Sequence, residues 1–254
     1  MRERQQNSSI SAVREAASRK LRPLDHDFAL HMGVCARIWD RMKNFPDKLL
    51  KGYTEFKDGR LANERERYRV LSEQGQKPET MIIACCDSRA APETIFNTAP
   101  GEIFVVRNVA NLVPPYKPDG EYHSTSAALE FAVQALKVKN VVVMGHGLCG
   151  GISAALGLAK EPLSPGDFIG RWIDLLTPAA ETVNANELLT SAERQTALER
   201  ISIRDSVENL RTFPCVSILE GKGRLKLHGV WFDISTGELW VMDSDTGDFK
   251  RPDE

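Results

Sequence analysis

The sequence predicts an α/β fold: a central, mostly parallel β-sheet flanked by helices, with an antiparallel hairpin at its C-terminal edge. Three observations carry this. The apolar runs Met81-Ile82-Ile83-Ala84, Ile103-Phe104-Val105-Val106 and Val141-Val142-Val143-Met144 have the length and β-branching of buried strands. Helical patterns separate them, which implies parallel pairing with helical crossovers. Near the end, residues 225–233 and 238–242 flank a Ser235-Thr236-Gly237 turn and read as a hairpin.

The chain opens on a polar stretch in which Arg2, Arg4, Arg14, Arg19, Lys20 and Arg22 outweigh Glu3 and Glu15. A transit peptide shares that composition, but the weak apolar face and the two glutamates fit a tail, or a start upstream of Met42, better. From Phe45 to Arg69 the pattern turns helical through Leu49, Leu50, Tyr53 and Phe56, is broken at Lys57-Asp58-Gly59-Arg60, and resumes with a solvated Glu64-Arg65-Glu66-Arg67 face. Gln74-Gly75-Gln76-Lys77-Pro78 is a turn into the first strand, and Ala91-Pro92-Glu93 opens a short helix after it. Residues 124–136 form an alanine-rich helix before the third strand, and Gly150-Gly151 starts another directly after it. Residues 164–212 are mostly helical, with Phe168, Trp172, Ile173 and Leu176 on one apolar face. The expected division is a partly disordered or helical extension, 1–42, and one domain, 43–254.

The 254 residues are 42% hydrophobic and 27% charged, with a net charge of -2, so no global field favours nucleic acid or an anionic membrane. No stretch is long and apolar enough to span a bilayer. Five cysteines, an odd number with no signal peptide before them, argue against a disulfide framework and for a reducing, cytoplasmic setting.

Cys85-Cys86-Asp87-Ser88-Arg89 follows the first strand, and Gly145-His146-Gly147-Leu148-Cys149-Gly150 follows the third. Ligands collect beyond the carboxyl ends of parallel strands, where two thiols and an imidazole can close on one metal ion. His-x-x-Cys alone is a weak pattern; joined to a strand-terminal Cys with Asp and Arg close behind, it points to a zinc enzyme with one position left for water.

These residues resemble the β-class carbonic anhydrases. Cys85 to Arg89 match that family's C-x-D-S-R motif, Gly145 to Gly151 match G-H-x-x-C-G-G, and residues 104–116 look like the plant-type branch. The resemblance implies zinc held by Cys85, His146 and Cys149, with Cys86 at a variable position. It implies reversible hydration of carbon dioxide to bicarbonate by zinc-bound hydroxide, oriented by an Asp87–Arg89 dyad with Asp87 on Arg89 and off the metal. It further implies a pocket lined by Phe104, Val109 and Phe131, with the Gln76 amide on substrate, and a homodimer or higher even-numbered assembly with sites near the subunit boundary. Phe131 stands where the pattern commonly has tyrosine. Cys35 and Cys215 read as incidental thiols, His228 as structural, and His123 as a helix-start residue that could also carry protons. The competing readings are a carbon disulfide or carbonyl sulfide hydrolase on the same scaffold, a non-catalytic zinc protein, and a Cys85-Cys86 redox module.

Overall fold

The computed structural model describes residues 45–120, 122–157 and 162–252. The Arg- and Ser-rich start, with His26, His31 and Cys35, lies outside the described residues. The chain divides into two compact units, Met1–Asn63 and Glu64–Glu254. In the first, α1 (Asp47–Asp58) stops where the Gly59 N–H donates to the Glu55 carbonyl at 2.9 Å. Leu49 and Tyr53, one turn apart on it, are exposed. The next helix, α2 (Arg60–Gln74), runs across the division; its Arg69 bridges Glu66 and Glu73, the solvated face the sequence predicts. Gly75 ends it at φ +77, a conformation that costs glycine nothing.

The second unit is organised by six strands: β1 (Thr80–Cys85), β2 (Ile103–Asn108), β3 (Asn140–His146), β4 (Lys226–Phe232), β5 (Leu239–Met242) and β6 (Phe249–Lys250). Their spatial order is β2-β1-β3-β4-β5-β6. The β1–β2, β1–β3 and β3–β4 pairs are parallel, and β5 and β6 are added antiparallel. The expected hairpin is β4–β5, with Trp231 opposite Trp240. At two residues, β6 is too short to leave an alternation in the sequence.

Both faces of the parallel strands are covered, which is why their sequences are continuous apolar runs. Met81, Ile83, Val141 and Val143 pack with Ile203, Leu210 and Trp231 on one side; Ile82, Ala84, Met144 and Val230 form the other. Each buried Val, Ile, Leu or Met among them contributes about 1.5–3 kcal/mol by leaving water.

The helices of this unit are α3 (Pro92–Ile95), α4 (Ser124–Glu130), α5 (Gly150–Leu156), α6 (Phe168–Ile173), α7 (Thr177–Ala185), α8 (Ser191–Arg211) and α9 (Pro214–Gly221). After α4 the chain widens into π-helical turns over Phe131–Leu136, so the alanine-rich helix is not uniform. A capping box at Thr190 and Glu193 starts α8, which lies across the sheet. The expected apolar face of 164–212 holds for Ile173 and Leu176, which are buried, but not for Phe168, which is 83% exposed. Asp167 caps α6 by accepting the Gly170 N–H, and this sharp entry turns Phe168 outward. None of the described helices is long and apolar enough to cross a membrane.

Candidate metal centre

Adjacent parallel strands β1 and β3 end at Cys85 and His146, so the register alone brings thiol and imidazole to one edge of the sheet. Three residues on, Cys149 is the N-cap of α5. Gly151 lets that helix sit close: a Cβ there would stand 2.8 Å from Val109 Cγ1 and 3.1 Å from Ala110 Cβ, whereas one on Gly150 would meet nothing.

One ligand atom from each of Cys85, His146 and Cys149 lies within 4.8 Å of the others, and all three residues are buried. The two Sγ atoms are 3.8 Å apart. Tetrahedral zinc with thiolates at about 2.3 Å separates its sulfurs by about 3.8 Å, so the spacing suits such an ion. His146 Nδ1 donates to the Gly147 carbonyl at 2.9 Å, which leaves Nε2 as the acceptor facing the thiols. Nε2 is buried without a hydrogen-bond partner. An orphaned acceptor grouped with two thiols is what a metal ligand looks like before its metal is considered. The residues fit the ion.

The hydrogen bond from Cys149 brings the Cys85 thiol down to about 4 against the pull of burial, with help from His146. The same pairing, added to burial, pushes Cys149 up. Burial drags the imidazole down, but Cys85 and the Gly147 carbonyl raise it on balance.

Beside the trio, Arg89 donates from Nε to Asp87 Oδ1 at 2.9 Å and from Nη2 to Oδ2 at 2.7 Å, a two-pronged pair. The Arg89 backbone N–H adds a third bond to Oδ1 at 2.9 Å. Arg89 therefore holds the Asp87 carboxyl well below the usual carboxylate range. Asp87 Oδ2 stands 3.9 Å from His146 Nε2. Asp87 thus rests on Arg89.

Three supports escape sequence reasoning. Arg107, at the end of β2, donates to the carbonyls of Cys85 at 2.7 Å and Asp87 at 2.6 Å, so one guanidinium shapes the first motif. Trp172 Nε1 donates to the Val109 carbonyl at 2.8 Å and steadies the turn under α5. Glu199 is buried against Cys149 and accepts its N–H at 3.0 Å. Only Glu199 leaves a trace in the sequence, as a charge within the apolar 3.6-residue spacing of Leu198, Ile203, Val207 and Leu210.

The residues expected to meet substrate separate. Val109 lines an open cleft of about 430 Å³ with Cys86, Asn108, Thr125, Phe168 and Trp172, next to the trio. Phe104 does not reach it: its strand partner is Met81, four residues before Cys85, or about 13 Å back along β1. Phe131 goes with Phe104, their ring centres 5.8 Å apart, and Gln76 precedes β1 altogether. His123 Nε2 donates to Asp119 Oδ1 at 2.7 Å in a groove with Tyr116 and Phe213. His228 bonds Asn140 at 3.2 Å, in keeping with a structural role.

Comparison with known proteins agrees with this geometry. The carbonic anhydrase family model matches residues 80–239. The chain is 33% identical over 241 residues to beta carbonic anhydrase 6, mitochondrial, of Arabidopsis thaliana, covering 91% of this chain and 82% of the relative. It is 35% identical over 209 residues to beta carbonic anhydrase 5, chloroplastic, of the same plant, covering 80% and 68%. Among solved structures, the β-carbonic anhydrase CcaA superposes with a TM-score of 0.75 at 29% identity, over 81% of this chain and 91% of that one. One of two tetrameric β-carbonic anhydrases from Sordaria macrospora superposes with 0.67 at 27% identity, over 80% and 98%. The organelle names of the two plant relatives overturn the cytoplasmic expectation, which rested on free thiols; these report redox poise and not an address. With a Cys-His-Cys group that can hold a metal at the carboxyl edge of its sheet, this chain belongs to the carbonic anhydrases, in the plant-type β class.

Proposed function

We propose that Cys85, His146 and Cys149 hold zinc, and that Asp87, kept by Arg89, orients the attacking oxygen in the reversible hydration of carbon dioxide to bicarbonate. Two thiolates and one imidazole form a set that zinc favours, with a fourth position for water. When bound, the ion acidifies that water and so supplies the nucleophile near neutral pH. Two thiolates formally cancel the ion's charge, so more of the orientation falls to the protein. Asp87 Oδ2 accepts the hydrogen of the attacking oxygen and turns a lone pair toward the carbon. Arg89 engages both carboxylate oxygens, keeps them ionised, and withholds them from the metal. That two-pronged pair, set beside an orphaned imidazole nitrogen, is the observation that carries the reading.

Carbon dioxide is apolar, and Val109 and Trp172 give the cleft apolar walls. A substrate role for Gln76, Phe104 and Phe131 requires the cleft of a second copy, because Phe104 sits beside Met81, four residues back along β1, Phe131 packs on it and Gln76 precedes that strand. Half-exposed Phe131, the half-buried edge strand β2 and the exposed Leu49 and Tyr53 of α1 support association into an even-numbered assembly.

Metal analysis with stopped-flow carbon dioxide hydration tests the reading. Asp87→Ala retains zinc and loses hydration by about 100-fold or more, whereas His146→Ala loses the metal. Parent-level hydration by Asp87→Ala would remove the assigned role, and full zinc in His146→Ala would remove the ligand set.

A further inference from the structure

Glu199 is 1% exposed in the middle of α8, and the mechanism above makes no use of it. A buried carboxyl is costly to keep unless donors surround it, and here three converge. Oε1 accepts the Cys149 N–H at 3.0 Å and Gln195 Nε2 at 2.7 Å, and Oε2 accepts Trp231 Nε1 at 3.0 Å. Gln195, one turn earlier on α8, also donates to the Cys149 carbonyl at 3.0 Å. Both backbone polar groups of Cys149 are thus held by one pair of side chains.

The peptide that supplies the Cys149 N–H also supplies the Leu148 carbonyl, and that carbonyl accepts Arg89 Nη2 at 3.2 Å. A trans peptide is rigid, with C=O and N–H directed oppositely. One flat group is therefore gripped by Arg89 on the side of the site and by Glu199 on the side of the core. The grip has something to hold: Leu148 sits at φ +56, a left-handed conformation that a leucine avoids, and its side chain is 62% exposed.

Resting on the zinc reading above, we infer that Glu199 is a positioning residue for the metal centre: it fixes the 148–149 peptide so that the Cys149 thiolate and Arg89 keep one relative geometry. The chain of contacts runs from Asp87 through Arg89, the peptide and Glu199 to Trp231. It ties the group that aims the oxygen to a group that binds the ion.

Glu199→Gln keeps the size of the side chain and exchanges one acceptor for a donor. Gln195→Met removes the bond to the Cys149 carbonyl, and Trp231→Phe leaves the Oε1 contacts in place. The full-length protein is loaded with zinc or with cobalt(II). Metal transfer to a chromophoric chelator, the cobalt absorption spectrum, separate kcat and KM, and the Tm of the metal-free form are then read. Glu199→Gln is expected to weaken metal retention by about 10–100-fold, to shift the thiolate-to-cobalt band, and to lower kcat more than it changes KM. Gln195→Met moves the same readouts by less, and Trp231→Phe keeps the parent spectrum. A metal-free parent would sink the zinc reading and this inference together. A loaded, active parent whose Glu199→Gln and Gln195→Met variants keep its spectrum and retention, losing only Tm, would overturn the inference alone.

Discussion

Gly150 and Gly151 are adjacent in sequence and unequal in space. A methyl on Gly151 runs into Val109 and Ala110, which are fixed by the left-handed turn at Ala110 (φ +64) and Asn111 (φ +51) and by Trp172. Gly151→Ala should therefore cost about 1–3 kcal/mol through overpacking, read as a lower unfolding midpoint in urea, while Gly150→Ala should leave that midpoint within experimental error. Equal midpoints for the two would show that α5 can shift outward without penalty. The sequence marks both glycines alike, since it does not reveal which backbone faces a neighbour. The trio itself is legible because two of its residues end strands whose pattern is plain and the third comes three residues later, at the start of a helix. Arg107 is not legible: a strand-end arginine on an ordinary run gives no sign that its donors turn back onto two carbonyls. Arg107→Lys removes that fork and should lower both stability and metal retention, by about 1.5–3 kcal/mol in stability for each charged hydrogen bond lost, measurable by denaturant unfolding of the parent and variant side by side.

Elements with a plain apolar pattern, β1, β3 and the hairpin, are readable from the sequence, and those set by tertiary contacts are not. The π-helical turns after α4 close where Lys137 takes φ +59 and Val138 N–H donates back to the Ala132 carbonyl at 3.1 Å, a fit to β3 that alanine-rich sequence cannot announce. Phe168 likewise follows the turn at Asp167 instead of the apolar pattern around it. The β5–β6 turn makes a pH-dependent element. Asp243 accepts N–H bonds from Thr246 and Asp245 and pairs with Lys250, which together bring its carboxyl down to about 2. A depressed carboxyl pKa stabilises above the unfolded value of about 3.9 and is lost as pH falls through the folded one. The β6 end should thus loosen between about pH 4 and pH 2 in the parent. In Asp243→Asn it should already be loose at neutral pH, with no further change over that interval. Hydrogen exchange at Phe249 and Lys250 measures this, and a parent and variant with the same acid profile would refute it.

For the molecule as a whole, the bound ion should act as a stabilising ligand. Free metal at 100 times its dissociation constant adds about 2.7 kcal/mol to the folded state, or roughly 5–10 °C in Tm for a unit of this size. Stripping with a chelator should lower Tm by that order and readdition should restore it; a Tm indifferent to verified metal loss would place the ion outside the core of the fold. The two sulfurs that would receive it belong to residues 64 positions apart, joined in space only because β1 and β3 are neighbours. In an unfolded chain His146 and Cys149 stay near each other while Cys85 does not, so the three-ligand set is not preassembled. Capture of the ion would then wait for the sheet to close, and the loaded site would serve as a removable staple, fastened late and holding shut the long span of chain that brought its two halves together.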